Sequence, residues 1–171
     1  MTRYPDKAFF RRRGLPKTFH NVNGLLAQGD IPVLDEMAKL LIFDGPLSMR
    51  RFYRDVLPGY RNAEEFHNTL GRGNPLGFVQ KLAVDYNHTK GYLKTEFDRR
   101  YFCLVALTRG NLTVEVIVHE PTHVGFAYDY YKLGVNQFAD VGNFEENICY
   151  PAGRFADEAL TFIKKTGIRE T

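Results

Sequence analysis

Cysteine is scarce in this sequence. The 171 residues include two cysteines, Cys103 and Cys149, which are too few for a disulfide framework and lack the close spacing of a metal-binding knuckle. Both stand among apolar neighbours, so we expect two buried free thiols. Free thiols are in turn typical of a reducing compartment.

Long apolar runs are also missing. No uninterrupted stretch approaches the roughly 20 residues that span a bilayer. The first residues lack the apolar segment and the small-residue cleavage site of a secretory signal. We therefore expect a soluble protein that is made in the cytoplasm and does not contact a membrane, with export by another route left open.

The net charge is small, and its distribution is uneven. The formal charge of +3 does not by itself indicate a nucleic-acid binder. Within residues 1–20, six Lys and Arg residues stand against Asp6, a net of +5. Residues 1–30 show no sustained period, so they are predicted to form a basic, irregular N-terminal arm. Arg11, Arg12 and Arg13 could make a weak contact with a polyanion, although a solvated basic tail is the more usual explanation of such a cluster.

The remaining residues, 31–171, have the composition of one folded domain. The whole chain is 44% hydrophobic and 14% aromatic, which excludes general disorder. Its length suits a single core. We find no internal repeat, low-complexity linker or shift in composition that would mark a second domain.

The first half of this domain has the spacing of short helices. Apolar residues recur at three- and four-residue intervals from Ile31 to a stop at Gly45. Further helices are predicted from Ser48 to Leu57, from Asn62 to Gly71 and from Asn74 to Tyr86.

The second half changes towards a period of two. Strands are predicted over 92–97 and 101–108, with a tight hairpin connection at 109–111. A further strand, 112–118, is predicted to run directly into His119. The fold class is therefore α+β, a small and largely antiparallel sheet with helices.

The start of the next helix has two interpretations. Thr113 could cap a helix with Glu115 in its first turn. Pro121 favours a start near Val118 instead, because a proline deep inside a helix costs roughly 3 kcal/mol. This helix should end at Gly134. A last helix, capped by Asn143, should run towards Gly167 with a kink at Pro151 and Gly153.

The motif that carries chemistry is His119-Glu120-Pro121-Thr122-His123, which has the form H-E-x-x-H. Histidines four residues apart lie on one face of a helix, so both imidazoles can reach one metal ion. A glutamate beside the first histidine can accept a proton from a water polarised by that metal. The alternative is a pair of core histidines satisfied by hydrogen bonds.

Zinc hydrolases use three protein ligands and leave a fourth position open. Glu145 and Glu146, about twenty residues downstream on the last predicted helix, are the candidates for the third. Glu146 could instead complete a capping box with Asn143.

At this point the sequence resembles a known group. The combination NLTVEVIVHEPTHV and FEENICYPAGRF is similar to small phage-encoded metallopeptidases of the gluzincin class, over roughly residues 110–165. The resemblance implies a minimal zincin-like core and zinc as the cofactor. It implies His119, His123 and Glu146 as ligands, with Glu145 in reserve, and Glu120 as general base. Pro121 and Pro151 depart from the pattern.

The sequence therefore predicts zinc-dependent hydrolysis of peptide bonds in a peptide or protein substrate. The oxyanion donor has six candidates that sequence does not rank: Tyr128, Tyr130, Tyr131, Tyr150, His67 and His88. One alternative function is a non-catalytic protein on a degenerate zincin scaffold, such as a virion component or a host-factor binder. Another is cleavage of an amide in cell-wall peptide. A phage origin would imply the host cytoplasm or a virion as the location.

Overall fold

The fold is described from a computed structural model, and the description covers residues 15–56, 77–87, 93–98, 100–133 and 144–168. The predicted helix over 62–71, the arginines at 11–13, and the histidines at 67 and 88 lie outside these residues.

A four-stranded mixed sheet forms the centre of the fold. Its strands stand in the order β1, β2, β6, β3. They are β1 (Leu25–Val33), β2 (Glu36–Phe43), β3 (Gly77–Lys81) and β6 (Cys103–Thr108). β2 and β6 are parallel, and the two outer pairings are antiparallel. β4 (Ala83–Asn87) and β5 (Leu93–Phe97) form a separate antiparallel pair.

Three described helices cover the two faces of the sheet. They are α1 (Pro46–Val56), α2 (Val114–Leu133) and α3 (Phe144–Thr166). α1 packs on one face, and α2 and α3 pack on the other. The predicted small α+β fold is confirmed. Within the described part of the chain, no helix combines the length and the apolar character needed to cross a membrane.

Alternate residues of the central strands feed two cores. On the α1 side, aromatic residues dominate, including Phe43, Phe52, Tyr53, Phe78 and Tyr101. On the α2 and α3 side, the core is mostly aliphatic, including Leu40, Ile42, Val105, Val124 and Ile163. β2 and β6 are therefore buried on both faces, and they read as nearly continuous apolar runs.

The predicted helix from Ile31 to Gly45 is wrong, because this stretch contains most of the β1–β2 hairpin. The apolar run of β2 has the spacing of a helix only by coincidence, since all its residues from 38 to 43 are buried in a central strand. Leu34 makes the turn with a positive φ of 54°. β1 also begins at Leu25, so part of the predicted irregular arm belongs to the sheet.

The predicted helix from Asn74 to Tyr86 is also wrong where the structure describes it. Residues 77–81 and 83–87 are strands β3 and β4. Phe78, Gln80 and Leu82 are the buried residues, which is a period of two. The polar Gln80 hid that alternation in the sequence. The strands predicted at 92–97 and 101–108 are confirmed, and the helix predicted from Ser48 corresponds to α1.

The predicted strand over 112–118 and the hairpin at 109–111 are wrong. Arg109–Asn111 is a turn of 3-10 helix, and α2 begins at Val114. Thr113 starts the helix, since its hydroxyl accepts a hydrogen bond from the Val116 N–H at 3.4 Å and its carbonyl accepts one from Ile117 at 3.0 Å. The alternative start at Thr113 was therefore the correct interpretation.

Because α2 begins at Val114 and not near Val118, Pro121 lies about one turn deeper in the helix than predicted. Its missing N–H removes the hydrogen bond to the carbonyl of Ile117. Pro121 is itself buried, and α2 packs on the sheet and on α3. Tertiary packing of this kind supplies most of a helix's stability in proteins. It outweighs the local cost of the proline.

α2 and α3 approach each other most closely at Gly125. A side-chain carbon built there would lie 2.4 Å from the carbonyl oxygen of Ile148. Gly125→Ala should therefore push the helices apart and lower the free energy of unfolding by about 1–3 kcal/mol, measured by urea denaturation. Gly153→Ala on α3 is the matched control, because nothing lies within 4 Å of that position. An alanine at 125 as stable as one at 153 would contradict this packing.

One prediction about the thiols is corrected. Cys103 is buried in β6 as expected, but Cys149 is exposed on α3. Its apolar neighbour Ile148 faces α2, and the next position along a helix points about 100° away. Both cysteines are free.

Candidate metal centre

The H-E-x-x-H motif occupies the middle of α2. The buried face of the helix carries Val116, Val124 and Ala127 against the sheet. His119 and His123 lie beside this face and are exposed. The interpretation of the two histidines as core residues is therefore wrong, and both rings are open to a ligand from solvent.

The two imidazoles face each other through one nitrogen each. The Nε2 atoms of His119 and His123 are 3.2 Å apart, and the ring planes are 76° apart. Two nitrogens bound to one tetrahedral zinc at 2.0–2.1 Å are about 3.3 Å apart. A hydrogen bond between neutral rings has a similar length. The pair therefore has the separation of two ligands before any metal is bound.

The charge state of His123 also suits a ligand. Burial lowers its pKa, and the electrostatic effects of His119 and Lys81 lower it further. A lowered pKa keeps the imidazole neutral at neutral pH, and only the neutral ring has a lone pair for a metal.

Glu120 points inwards, between α2 and β3. Its side chain is 6% exposed. A side-chain carbon built on Gly77 of β3 would lie 3.1 Å from its Cγ, so the absent side chain leaves room for the glutamate. One carboxylate oxygen, Oε2, is buried with no hydrogen-bond partner among the described residues.

Burial raises the pKa of Glu120 to about 7. Burial raises the pKa of Tyr53 on α1, and the charge of Glu120 raises it further. Buried carboxylates normally have partners. A partnerless one with a pKa near neutrality, beside two exposed histidines, is a typical feature of a functional site.

The third ligand is not assembled in the described part of the chain. No group of three His, Cys, Asp or Glu side chains there is close enough to hold one metal ion. Glu146 is exposed on α3 and does not join the histidine pair, while the side chain of Glu145 lies outside the described residues. The first turns of α3 do lie against α2, through the contact between Ile148 and Gly125.

Two residues beside the site were not predicted from the sequence. Lys81 and Gly77 stand about forty residues before the motif, in a segment whose pattern favoured a helix. The ammonium of Lys81 lies 4.6 Å from the centre of the Tyr130 ring on α2. Recognising β3 as a strand, from the alternation of Phe78, Gln80 and Leu82, would have put both residues on one face.

The tyrosines proposed as oxyanion donors have different positions. Tyr128 donates its hydroxyl to Asp35 at 2.5 Å, at the tip of the β1–β2 hairpin. Tyr150 is 67% exposed on α3. The ring of Tyr130 is contacted by the ammonium of Lys81 on β3.

Comparison of the chain with protein-family models, with curated proteins and with solved structures gives no match.

Proposed function

We propose that this protein is a zinc-dependent hydrolase of peptide bonds. The observation that carries the proposal is the 3.2 Å separation of the Nε2 atoms of His119 and His123 on an exposed helix face. A donor set of two imidazoles suits zinc. When bound, zinc supplies the Lewis acidity that attack on a peptide carbonyl requires.

Glu120 is the general base in this proposal. It follows His119 in the chain and lies on the side of the pair that faces β3. A base works best when its pKa lies near the working pH, and burial raises that of Glu120 to about 7. Its unpartnered Oε2 supports the same role, since that oxygen has no competing donor among the described residues.

The third ligand remains a prediction from the sequence resemblance. Glu146 is the first choice and Glu145 the reserve. Both stand within one helical turn of Ile148, the residue of α3 whose backbone lies against α2. A carboxylate bound to the same ion as the two histidines would complete a set of three protein ligands.

β3 offers a place for an extended peptide. It is the last strand in the order of the described sheet, and its Gly77 faces Glu120. Peptides commonly bind to such strands by adding one more strand to the sheet. A peptide held there would have its backbone beside the proposed base.

The competing proposal is a non-catalytic protein on a degenerate scaffold of the same kind. It is favoured by the lack of a three-ligand group among the described residues and by the position of Pro121 inside α2. It differs from the hydrolase in one measurable respect, because it needs no metal.

Metal content separates the two proposals. We expect untagged protein to contain about one zinc per chain by elemental analysis. His119→Ala should lose it, with zinc affinity falling by more than the 10–100-fold typical of a lost outer partner. His20→Ala, an exposed histidine before β1, is the matched control and should retain the metal. Wild-type protein without zinc, even after reconstitution, would refute the hydrolase and leave the binding protein.

A further inference from the structure

The segment before β1 crosses the α1 side of the sheet and carries a cation on its outer surface. Leu15 and Phe19 of this segment are 4% and 7% exposed, and the Phe19 ring centre lies 5.2 Å from that of Phe52 on α1. Between them, the carbonyl of Lys17 accepts a hydrogen bond from the ammonium of Lys39 at 2.6 Å. Lys17 itself is exposed. The segment is therefore fixed by its apolar side chains and its backbone, and the ammonium of Lys17 faces solvent.

Two arginines from other parts of the chain lie around this segment. The guanidinium of Arg100 donates from Nη1 to the carbonyl of Leu15 at 3.5 Å, and Arg100 is exposed. On α1, Arg51 directly precedes Phe52 and is also exposed. We refer to Lys17, Arg51 and Arg100 as the basic surface. Three stretches of the sequence thus bring exposed cations to one side of the sheet.

Two acidic residues on this side are held inside it. Asp98 is 4% exposed, and its carboxylate accepts hydrogen bonds from the backbone N–H groups of Leu15 at 2.7 Å and Arg100 at 2.9 Å. Asp30 pairs with the ammonium of Lys39 at 2.8 Å. Both carboxylates therefore have partners within the fold, and neither is turned outward beside the exposed cations.

The sequence adds further positive charge next to the basic surface. Arg11, Arg12 and Arg13 stand two to four residues before Leu15. Residues 1–20 as a whole have a net charge of +5. The charge of the predicted arm is therefore joined to the basic surface by a short covalent link. α1 contributes to the same balance, because it contains three arginines and one aspartate.

We propose that the basic surface binds the phosphate backbone of a nucleic acid. The planar guanidinium of arginine matches phosphate oxygens in pairs, and contacts of this kind supply most of the affinity for nucleic acids. An anionic membrane fits less well, because helices that lie on lipid expose an apolar face. The apolar face of α1, which includes Met49, Phe52 and Tyr53, is buried against the sheet.

The basic surface is separate from the candidate metal centre. α2 carries the histidine pair and packs on the other face of the sheet. Binding of a nucleic acid therefore needs neither zinc nor Glu120. Its success or failure leaves the proposed hydrolase unaffected, and the two proposals are tested independently.

Binding of a labelled duplex tests the surface directly. A mixed sequence of about 20 base pairs is prepared as DNA and as RNA, and fluorescence anisotropy is measured between about 50 and 200 mM salt. For DNA, the logarithm of the affinity should fall with the logarithm of the salt concentration with a slope of about −3 or steeper, because each phosphate contact contributes about −0.9. Tighter binding of one duplex identifies DNA or RNA as the source of the phosphates.

Paired substitutions show whether the charges act at this place. Lys17→Gln with Arg51→Gln removes two side chains that form no ion pair with other residues in the described part of the chain. It should weaken binding at low salt by about 10–100-fold and make the slope shallower by about 2. Lys164→Gln with Lys165→Gln, at the end of α3, is the matched control. It removes the same charge from the other face and should leave the slope unchanged.

A second pair of substitutions separates charge from folding. Lys17→Arg with Arg51→Lys keeps both cations and should bind the duplex within about threefold of the wild type. Loss of binding in this variant, or equal losses in the two glutamine pairs, would overturn the basic surface. Wild-type protein that binds neither duplex at low salt would do the same. Binding to vesicles containing phosphatidylserine, with no binding to either duplex, would assign the surface to a membrane instead.

Discussion

We expect Glu120→Gln to lower the turnover of the proposed peptide hydrolase by about 10²–10⁴-fold and to leave zinc in place. This is the range that general acid–base catalysis contributes. Glutamine has nearly the same shape and cannot accept the proton. The two histidines are unchanged, so the metal content measured by elemental analysis should be that of the wild type. Full activity in Glu120→Gln would refute the role of the residue.

Glu115→Gln is the control for this substitution. It makes the same chemical change on the same helix, at an exposed position in the first turn. We expect its turnover to stay within about twofold of the wild type, because surface substitutions away from a site have small effects. A comparable loss in both variants would indicate a disturbed helix and not a lost base.

The same substitution should stabilise the metal-free fold at high pH. Burial raises the pKa of Glu120 to about 7, above its value in the unfolded chain. The wild type therefore loses stability relative to the variant as the pH rises from about 4.5 through about 7. At pH 8, the free energy of unfolding of Glu120→Gln, measured by urea denaturation, should exceed that of the wild type by about 1–3 kcal/mol. The gain is limited because the buried amide still lacks a hydrogen-bond partner. At pH 5 the difference should largely disappear.

Opposite effects on stability and turnover are typical of a catalytic residue held in an unfavourable position. A glutamate retained for packing alone would lose stability when changed, or would show no effect. The pair of measurements thus separates function from structure at one position.

The histidine pair was predictable from the sequence because it depends on helical geometry alone. Residues four apart lie on one face in any α-helix, so the approach of the two rings needs no knowledge of the fold. That prediction was unaffected by the error in the start of α2. Moving the helix start from Val118 to Val114 changes the neighbours of Pro121 but not the angle between the two histidines.

The surroundings of the pair were not predictable in the same way. Glu120 is buried because β3 lies opposite it, and β3 was interpreted as part of a helix. In β2 and β3 the apolar residues satisfy a helical spacing and a strand spacing at once. β2 is buried on both faces, so its sequence is a nearly continuous apolar run, and Gln80 interrupts the apolar alternation of β3. Both segments form strands because they pair with residues that are distant in the sequence, and the local sequence pattern does not show that pairing.

An ion pair on the α1 side of the sheet, between the buried Lys39 and the partly exposed Asp30, carries the second large effect. Lys39 of β2 is 2% exposed, and its ammonium donates to Asp30 of β1 at 2.8 Å and to the carbonyl of Lys17 at 2.6 Å. The hydroxyl of Tyr101 also donates to Asp30, at 2.8 Å. These contacts attach the segment before β1 to the sheet.

Lys39→Ala should lower the free energy of unfolding by about 1–3 kcal/mol, because it removes two charged hydrogen bonds made by a buried ammonium. Replacing both members by apolar residues, Lys39→Met with Asp30→Val, should recover part of that loss, since the ammonium of Lys39 is costly to desolvate. Urea denaturation of Lys39→Met, of Asp30→Val and of the double variant measures the coupling between the two residues. Losses that simply add would show that the pair does not act as a unit.

The pH dependence of unfolding identifies the carboxylate. Burial raises the pKa of Asp30, but hydrogen bonds from Lys39 and Tyr101 and the charges of Lys39 and Lys17 outweigh it, so the pKa lies below its ordinary value. Asp30 therefore stabilises the fold fully above about pH 4, its unfolded value, and loses this contribution as the pH falls through the folded value. Asp30→Asn should remove that part of the acid dependence, whereas the control Asp157→Asn, exposed on α3, should keep it. If acid unfolding is the same with and without Asp30, the ion pair does not stabilise the hairpin.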